Sequence, residues 1–299
     1  MNQEKDIQIQ DPKEMFYNKQ FPVQTQEAPG IQMKMRPVPD SGEETYKGHE
    51  RLMGRKALIT GGDSGIGRAV AIAFAREGAD IAINYLPKEK EDADSLAAVL
   101  KKENKKLSLI PGDIRNEETC KEIIEKANED LSGIDILVLN AAVQVAQKNI
   151  EDITTEQLMH IYNTNVFPMF WMVKAALPHL KPGSSIILTS SAEYYDPSPT
   201  LLDYASSKYA VVGFGRALAK QLAEKGIRVN IVCPGPIWTP LEISGGLLEE
   251  DIPKHGQNTL LKRSGQPVEL AGVYVFLASN ESSYVTAETY GVAGGKHGT

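Results

Sequence analysis

Cysteine is scarce: Cys120 and Cys233 are the only two in 299 residues, and neither has a partner at CxxC spacing. That usage argues against a disulfide framework and for a reducing compartment. Cys233 closes the apolar run Ile231-Val232 and reads as a buried, inert thiol. The five histidines (His49, His160, His179, His255, His297) lack metal-ligand spacing, so no metal site is expected. No run approaches eighteen apolar residues, which excludes a helical membrane span. The polar start MNQEKDIQIQDPKEMF lacks the basic-then-apolar layout of a secretion signal, and a cytoplasmic protein with no membrane partner is expected. No Lys/Arg block interrupts a formal net charge of −7, which argues against nucleic acid as a partner, since phosphate binding draws on a basic surface.

What the chain does contain is the composition of a globular α/β protein, 41% hydrophobic and 24% charged. Two textures divide it. Residues 1–50 are rich in Gln, Pro and charge, with scattered Met15, Phe16, Phe21, Ile31, Met33 and Met35 and no period. They read either as a floppy tail or as an extended arm docked on the domain or on a neighbouring subunit. Residues 51–299 read as a single domain of alternating elements. Apolar runs suited to buried parallel strands are Lys56–Thr60, Ile81–Tyr85, Leu107–Ile110, Ile134–Leu139, Ser185–Thr189 and Arg228–Cys233, with a seventh near Thr289–Ala293. Helical spacing fills Ile66–Glu77, Glu91–Lys102, Glu117–Leu131, Thr155–His179, Asp203–Lys225 and Pro267–Ser279. Thr154 or Thr155 marks a helix start, and Gly78 and Gly226 mark stops. The alternation predicts a doubly wound, Rossmann-type α/β fold: a mostly parallel seven-stranded sheet with helices on both faces.

The first strand runs into Thr60-Gly61-Gly62-Asp63-Ser64-Gly65-Ile66-Gly67, which opens a helix. Small residues at that junction permit a tight turn, let backbone approach a pyrophosphate and let the helix pack near the sheet, while the helix N-terminus supplies amide donors. A glycine cluster alone also marks plain turns; at the first strand–helix junction of an alternating chain it points to a dinucleotide. This TGxxxGxG spacing resembles the short-chain dehydrogenase/reductase family, and the resemblance covers residues 50–299. It implies an NAD(P)(H) cofactor held by Gly61, Asp63, Ser64, Gly65, Ile66 and Gly67. The second strand ends Asn84-Tyr85-Leu86-Pro87, with neither the acid of NAD sites nor the base of NADP sites. Tyr85 and Leu86 would border the adenosine there, and NAD versus NADP stays open; Lys88 and Arg68 are nearby cations that also read as surface charge. Asp113, followed by Ile114, matches the family's adenine-binding carboxylate, against a rival reading as a helix cap.

The fourth strand ends Leu139-Asn140-Ala141-Ala142, where the family has Asn-Asn-Ala-Gly. Asn140 and Ala141 would serve the cofactor, while Leu139 and Ala142 are departures that put fine geometry in question. After the sixth strand, Pro234, Gly235, Ile237 and Thr239 would frame the nicotinamide, and a plain rigid turn is the rival reading. Residues 241–264 read as a mobile lid hinged at Gly245-Gly246, with Leu241, Leu247 and Leu248 on an apolar inner face. The C-terminal Ala293-Gly294-Gly295 lacks the family's acid before its glycines, and a polar end Lys296-His297-Gly298-Thr299 follows.

Tyr204 and Lys208 stand at i and i+4, on one helical face. Reduction of a carbonyl needs a proton donor beside its oxygen, and a nearby ammonium would lower the phenol's pKa from about 10. Lys208 would also bind the cofactor's ribose. Ser190-Ser191 lies at the preceding strand end, Ser191 thirteen residues before Tyr204, and the family's Ser–Tyr–Lys spacing selects Ser191 as the residue holding the substrate oxygen. The resemblance adds Asn165, with Asn163 as its rival, propping the long helix with a water and relaying protons to Lys208. Pro168 supports an irregularity in that helix. The resulting expectation is an enzyme moving a hydride between NAD(P)H and a small carbonyl or alcohol substrate (aldehyde, ketone or sugar-like alcohol), assembled as a homotetramer or homodimer. Rival readings are a silent dinucleotide sensor or scaffold, motivated by Leu139, Ala142 and Ala293, and an NAD-dependent epimerase or dehydratase, which the glycine spacing disfavours.

Overall fold

The computed structural model describes residues 9–296; His297, Gly298 and Thr299 of the polar C-terminal end lie outside them. Seven strands form one parallel sheet: β1 (Lys56–Thr60), β2 (Asp80–Tyr85), β3 (Leu107–Pro111), β4 (Ile136–Leu139), β5 (Ser185–Thr189), β6 (Arg228–Pro234) and β7 (Thr289–Val292), in the order β3-β2-β1-β4-β5-β6-β7. Their apolar runs are nearly continuous because helices cover both faces. On one face α1 (Gly65–Arg76), α2 (Lys90–Lys102) and α7 (Val268–Ala278) bury Val70, Phe74, Leu96, Tyr274 and Val275 against Ile59, Ile83 and Val232. On the other, α3 (Glu117–Leu131), α5 (Phe167–Ala176) and α6 (Leu202–Leu222) bury Ile123, Met172 and Val211 against Leu58, Leu137 and Ile231. The strand order reverses between β1 and β4, so the crevice beyond their C-terminal ends is where such a sheet binds ligands.

One predicted element is corrected. The single helix expected over Thr155–His179 is two, α4 (Thr155–Asn165) and α5, broken at Val166 (φ −118°, ψ −57°). Pro168 has no N–H to give the Thr164 carbonyl, so the α-helical ladder cannot run through. Thr154 is the start, its hydroxyl accepting the Gln157 N–H at 3.1 Å. Elsewhere the bounds shift by a few residues: β4 begins at Ile136 rather than Ile134, and α6 gives way to a 3-10 turn at Ala223–Lys225. Gly78 and Gly226 end their helical segments in the left-handed region. Both cysteines are free and buried.

Residues 9–50 contribute no strand and run over the domain surface. Phe21 stacks on Trp238, ring centroids 3.8 Å apart, within a small core that includes Met35, Ile243 and Ile252. The Trp238 indole donates to the Pro37 carbonyl at 2.9 Å. Backbone bonds from Phe21 to Pro253, Gln26 to Ile243 and Val268 to Asp40 sew the segment down. Met15 and Met33 stay exposed.

Candidate active site

A cleft of about 1090 Å³ opens at the C-terminal strand ends. Its floor at one end is the glycine loop. Gly65 begins α1 at φ +51°, a left-handed conformation that costs side-chain-bearing residues energy. Gly67 lies beneath the cleft: a Cβ there would fall 1.9 Å from the Gly61 carbonyl oxygen, so hydrogen alone lets α1 pack on the loop. Gly61, Asp63, Ser64, Gly65 and Ile66 line the opening. Ser64 caps α1 without a side-chain bond; Gln32, fully buried, instead accepts the Gly65 N–H at 2.7 Å.

The Asp63 carboxyl is 1% exposed, and neither oxygen meets a hydrogen-bond partner. Burial, with the Asp92 carboxylate adding to it, pushes Asp63 up to about 7; burial and Asp63 push Glu89 up to about 8. Arg68 is neither a surface charge nor free to meet a phosphate. It is buried, paired with Glu43 at 2.8 Å and bonded to the Asp63 and Asp92 carbonyls. Lys88 is exposed, 4.0 Å from Glu27.

Tyr85, Leu86, Asp113 and Ile114 border the same end. Asp113 is not a helix cap: Asn116 caps α3 by accepting from Thr119 N at 3.0 Å. Asp113 instead grips Arg115, whose guanidinium holds the carboxyl below its usual range. Asn140 fastens β4 to β1, its N–H donating to Thr60 Oγ1 at 2.9 Å and its amide to the Thr60 and Gly61 carbonyls. Ala141 packs on Gly61. The departures have packing roles: Leu139 is core, Ala142 lines the cleft, and Ala293 abuts Gly235, where a Cβ would sit 2.5 Å from the Ala293 Cα.

At the middle of the cleft Ser191, Tyr204 and Lys208 share one wall. Ser191 leaves β5 with its Oγ accepting the Glu193 N–H at 3.1 Å, which keeps its own O–H available. Burial raises the Tyr204 phenol above its ordinary value, a Ser191 hydrogen bond opposes it, and the Glu242 and Glu193 carboxylates add to the rise. The lowering expected from Lys208 is not among the effects acting on the phenol in the chain alone. Lys208 Nζ lies 5.3 Å from the Tyr204 ring centroid and donates to the Thr189 carbonyl at 3.1 Å. Burial lowers it to about 8. Ser190 is structural, its hydroxyl donating to the Lys208 carbonyl at 2.9 Å.

Asn165 does not reach the cleft. Its side chain accepts from Val143 N at 2.8 Å and donates to the Val143 carbonyl and Ser207 Oγ, so both amide atoms already have protein partners. Its link to α6 is Ser207, the neighbour of Lys208. Past β6, Pro234, Gly235, Ile237 and Thr239 line the cleft, and Ile237 makes a parallel bridge to Gly265. Of the apolar inner face expected for 241–264, Leu241 and Leu247 line the cleft and Leu248 does not; the buried Ile243 and Ile252 face the other way and pack with Phe21 of the N-terminal segment. Gly245 does take φ +104° there.

Sequence reasoning missed Gln32 and a group beyond Tyr204: Gln144, Glu193, Glu242, His255 and Lys296 all line the cleft. They come from five separate segments, and no local spacing announces them.

The cleft suits a dinucleotide on its own terms. It is long, its glycine turn leaves backbone bare beside a helix N-terminus, and a buried carboxyl waits without a donor. Comparison with known proteins agrees. A family model described as Enoyl-(Acyl carrier protein) reductase matches residues 61–297. The chain is 57% identical over 293 residues to the Bacillus subtilis (strain 168) protein named Uncharacterized oxidoreductase YhxD, covering 97% of this chain and 98% of that one. It is 44% identical to NADPH-dependent aldehyde reductase 1, chloroplastic, of Arabidopsis thaliana, covering 89% and 94%. A short chain dehydrogenase from Burkholderia cenocepacia J2315, crystallised in complex with NADP, superposes with a TM-score of 0.76 at 30% identity, over 82% of this chain and 99% of its own. The chain belongs to the short-chain dehydrogenase/reductase family and is an oxidoreductase of that type.

Proposed function

We propose that the protein interconverts a small carbonyl compound (aldehyde or ketone) and its alcohol, sugar-like alcohols included, using NAD(P)(H). The observation that carries this reading is the convergence of Ser191, Tyr204 and Lys208 on the cleft that the glycine loop opens into. The names of the Arabidopsis relative and of the NADP-bound neighbour support it. The cofactor, when bound, supplies or accepts the hydride. Asp63, Gly65 and Ile66 would hold its adenosine and pyrophosphate, and Ile237, Thr239 and Lys208 its nicotinamide end.

The residues then divide the proton and charge work. Ser191 turns its O–H from the Tyr204 oxygen to the carbonyl oxygen and stabilises the negative charge that grows there. Tyr204 gives its phenolic proton to that oxygen, or takes it back from the alcohol in reverse. Burial suits it to keep its proton until the oxygen becomes basic. Lys208, an ammonium below pH of about 8, places positive charge one helical turn away and stabilises the phenolate left behind. Asn165 acts as a positioning residue, fixing Ser207 and hence the turn of α6 that carries Lys208.

The test is Tyr204→Phe, assayed by nicotinamide absorbance with NADH and NADPH in parallel across aldehydes and ketones. Dinucleotide binding should persist while turnover falls ~10²–10⁴-fold; unaltered turnover removes Tyr204 from the chemistry. A homodimer or homotetramer and a cytoplasmic setting belong to the same proposal by family analogy. Light scattering of the purified protein reads the first, and a single protomer mass would refute it.

A further inference from the structure

Resting on the reaction proposed above, we infer that the wall of the cleft beyond Tyr204 is a subsite for a short, uncharged substrate carrying hydroxyl groups next to its carbonyl, read by Glu242 and His255 with Gln144. The reasoning begins with what is buried there. Glu242 and His255 are each 8% exposed, and Glu193 and Gln144 each 6%, yet all four line a cleft large enough to admit a ligand. Among the described residues none of their side-chain polar atoms is both sealed from water and without a partner, so the hydrogen-bonding capacity they keep is turned to the cleft, where a ligand can take it up.

One of them is met: Glu193 pairs with Lys296 Nζ at 3.2 Å and also accepts the Ser198 N–H. The other three are left partly open. Among the described residues the Glu242 carboxyl has no hydrogen bond: its ion-pair contact, His255 Nε2, is at 3.6 Å, beyond good hydrogen-bond range, and Glu193, Lys296 and Tyr204 act on it from further off. The far side of the imidazole is settled by Ser264, whose Oγ donates to the His255 carbonyl at 3.0 Å and so accepts from Nδ1 at 2.8 Å. That assignment leaves Nε2 as a bare acceptor turned toward Glu242. Gln144 gives its amide nitrogen to the Gly246 carbonyl and keeps its oxygen unbonded. The wall thus offers unfilled hydrogen-bonding capacity at three places.

Charge narrows the ligand further. Burial, followed by the Glu193 carboxylate, pushes Glu242 up to about 8, and burial holds His255 down to about 3, so both are mainly neutral at pH 7. Glu193 is offset by Lys296. The other charged side chains lining the cleft beside His255, Asp251 and Lys254, are exposed and opposite in sign, so among the described residues no buried charge at this wall is left over for a carboxylate, phosphate or amine on the substrate. An alkyl chain against this wall would leave Glu242 and His255 without partners. Vicinal hydroxyls, each a donor and an acceptor, fill both needs. A site built to hydrogen-bond a hydroxyl rejects the analogue lacking it far more sharply than an apolar pocket rejects an extra one.

Glyceraldehyde and propanal have the same carbon count and differ by two hydroxyls, so the ratio of their kcat/KM values reads the subsite. The expected wild-type ratio favours glyceraldehyde by ~10-fold or more, and glyoxylate, similarly small but anionic, should be the poorest of the three. Glu242→Gln, nearly isosteric, and Glu242→Leu should each lower the glyceraldehyde-to-propanal ratio, the leucine variant more. Erythritol titrated into the protein with oxidised dinucleotide, followed by calorimetry, should bind the wild type and lose affinity in Glu242→Leu. A wild-type ratio near one, ratios unmoved by both variants, or faster reduction of glyoxylate overturns the subsite while the reaction stands. If no aldehyde is reduced, the reaction fails and the subsite is judged on erythritol alone: binding that depends on Glu242 sustains it, and no binding overturns it.

Discussion

The two ends of the cleft are built from different materials. The end at the glycine loop is shaped mainly by backbone, with bare amides, a helix start and carbonyls within contact distance of one another, and the buried Asp63 carboxyl is set into it. The end beyond Tyr204 is made of buried titratable side chains. A backbone-built site fails when an atom is added, because nothing can move aside, whereas a side-chain-built site fails when a charge or a hydrogen-bonding group is changed. Each end should thus be most sensitive to its own kind of insult.

The largest effect should come from adding one methyl at the backbone end. In Gly67→Ala the new carbon meets the Gly61 carbonyl at 1.9 Å, and overpacking of that kind costs ~3 kcal/mol. A lowered denaturant midpoint and weakened dinucleotide binding are expected, with the preference among aldehydes kept in whatever enzyme remains. Ordinary stability and binding would show that α1 can shift off the loop.

Next in size is a pH effect at the other end. Glu242 has its folded pKa raised to about 8 from an ordinary 4.5, so the native state holds a proton that the unfolded chain releases between those values. Its contribution to stability is fully present below about 4.5 and lost as pH rises through about 8. Glutamine does not titrate. The melting temperature of Glu242→Gln minus that of the wild type should therefore increase from pH 6 to pH 8, by an amount equivalent to ~2 kcal/mol. Asp63 and Glu89 titrate in the same window at the opposite end, but they are common to both proteins and cancel in the difference. A difference independent of pH would mean that Glu242 is already ionised in the native state.

The smallest effect should follow Gln32→Ala, which removes the one side chain capping α1 from outside the domain. A loss of ~1 kcal/mol is expected, seen as a raised KM for the dinucleotide at nearly constant kcat. Gln32→Glu, which keeps the accepting oxygen, should recover part of it. A kcat loss without a change in KM would place the influence of Gln32 elsewhere.

Legibility in the sequence follows the same division. The strands and most helices could be read because their apolar residues repeat along a continuous segment. The glycine loop could be read because its chemistry is confined to eight neighbouring residues. That Ser191, Tyr204 and Lys208 would face one cleft was legible through the spacing of the family they resemble, across one strand-to-helix loop. Pro168 announced an irregularity in the long helix but not a complete break at Val166. Glu242 and His255 are thirteen residues apart in an aperiodic segment, and Lys296 meets Glu193 across more than a hundred. Such pairs are created by tertiary packing, which composition and period do not encode. Arg68 shows the reverse error: a cation beside a phosphate-binding loop invites an electrostatic role, and only its burial against Glu43 reveals a structural one.

The stacking of Phe21 on Trp238 gives the molecule a built-in optical gauge. Trp238 is one of two tryptophans and is fully buried, its indole sealed on one face by a ring belonging to the N-terminal segment. Peeling that segment away would hydrate the indole and move its emission to the red. With Trp171 replaced by phenylalanine, the colour of the remaining tryptophan would report whether the strap is seated while the cleft fills and empties.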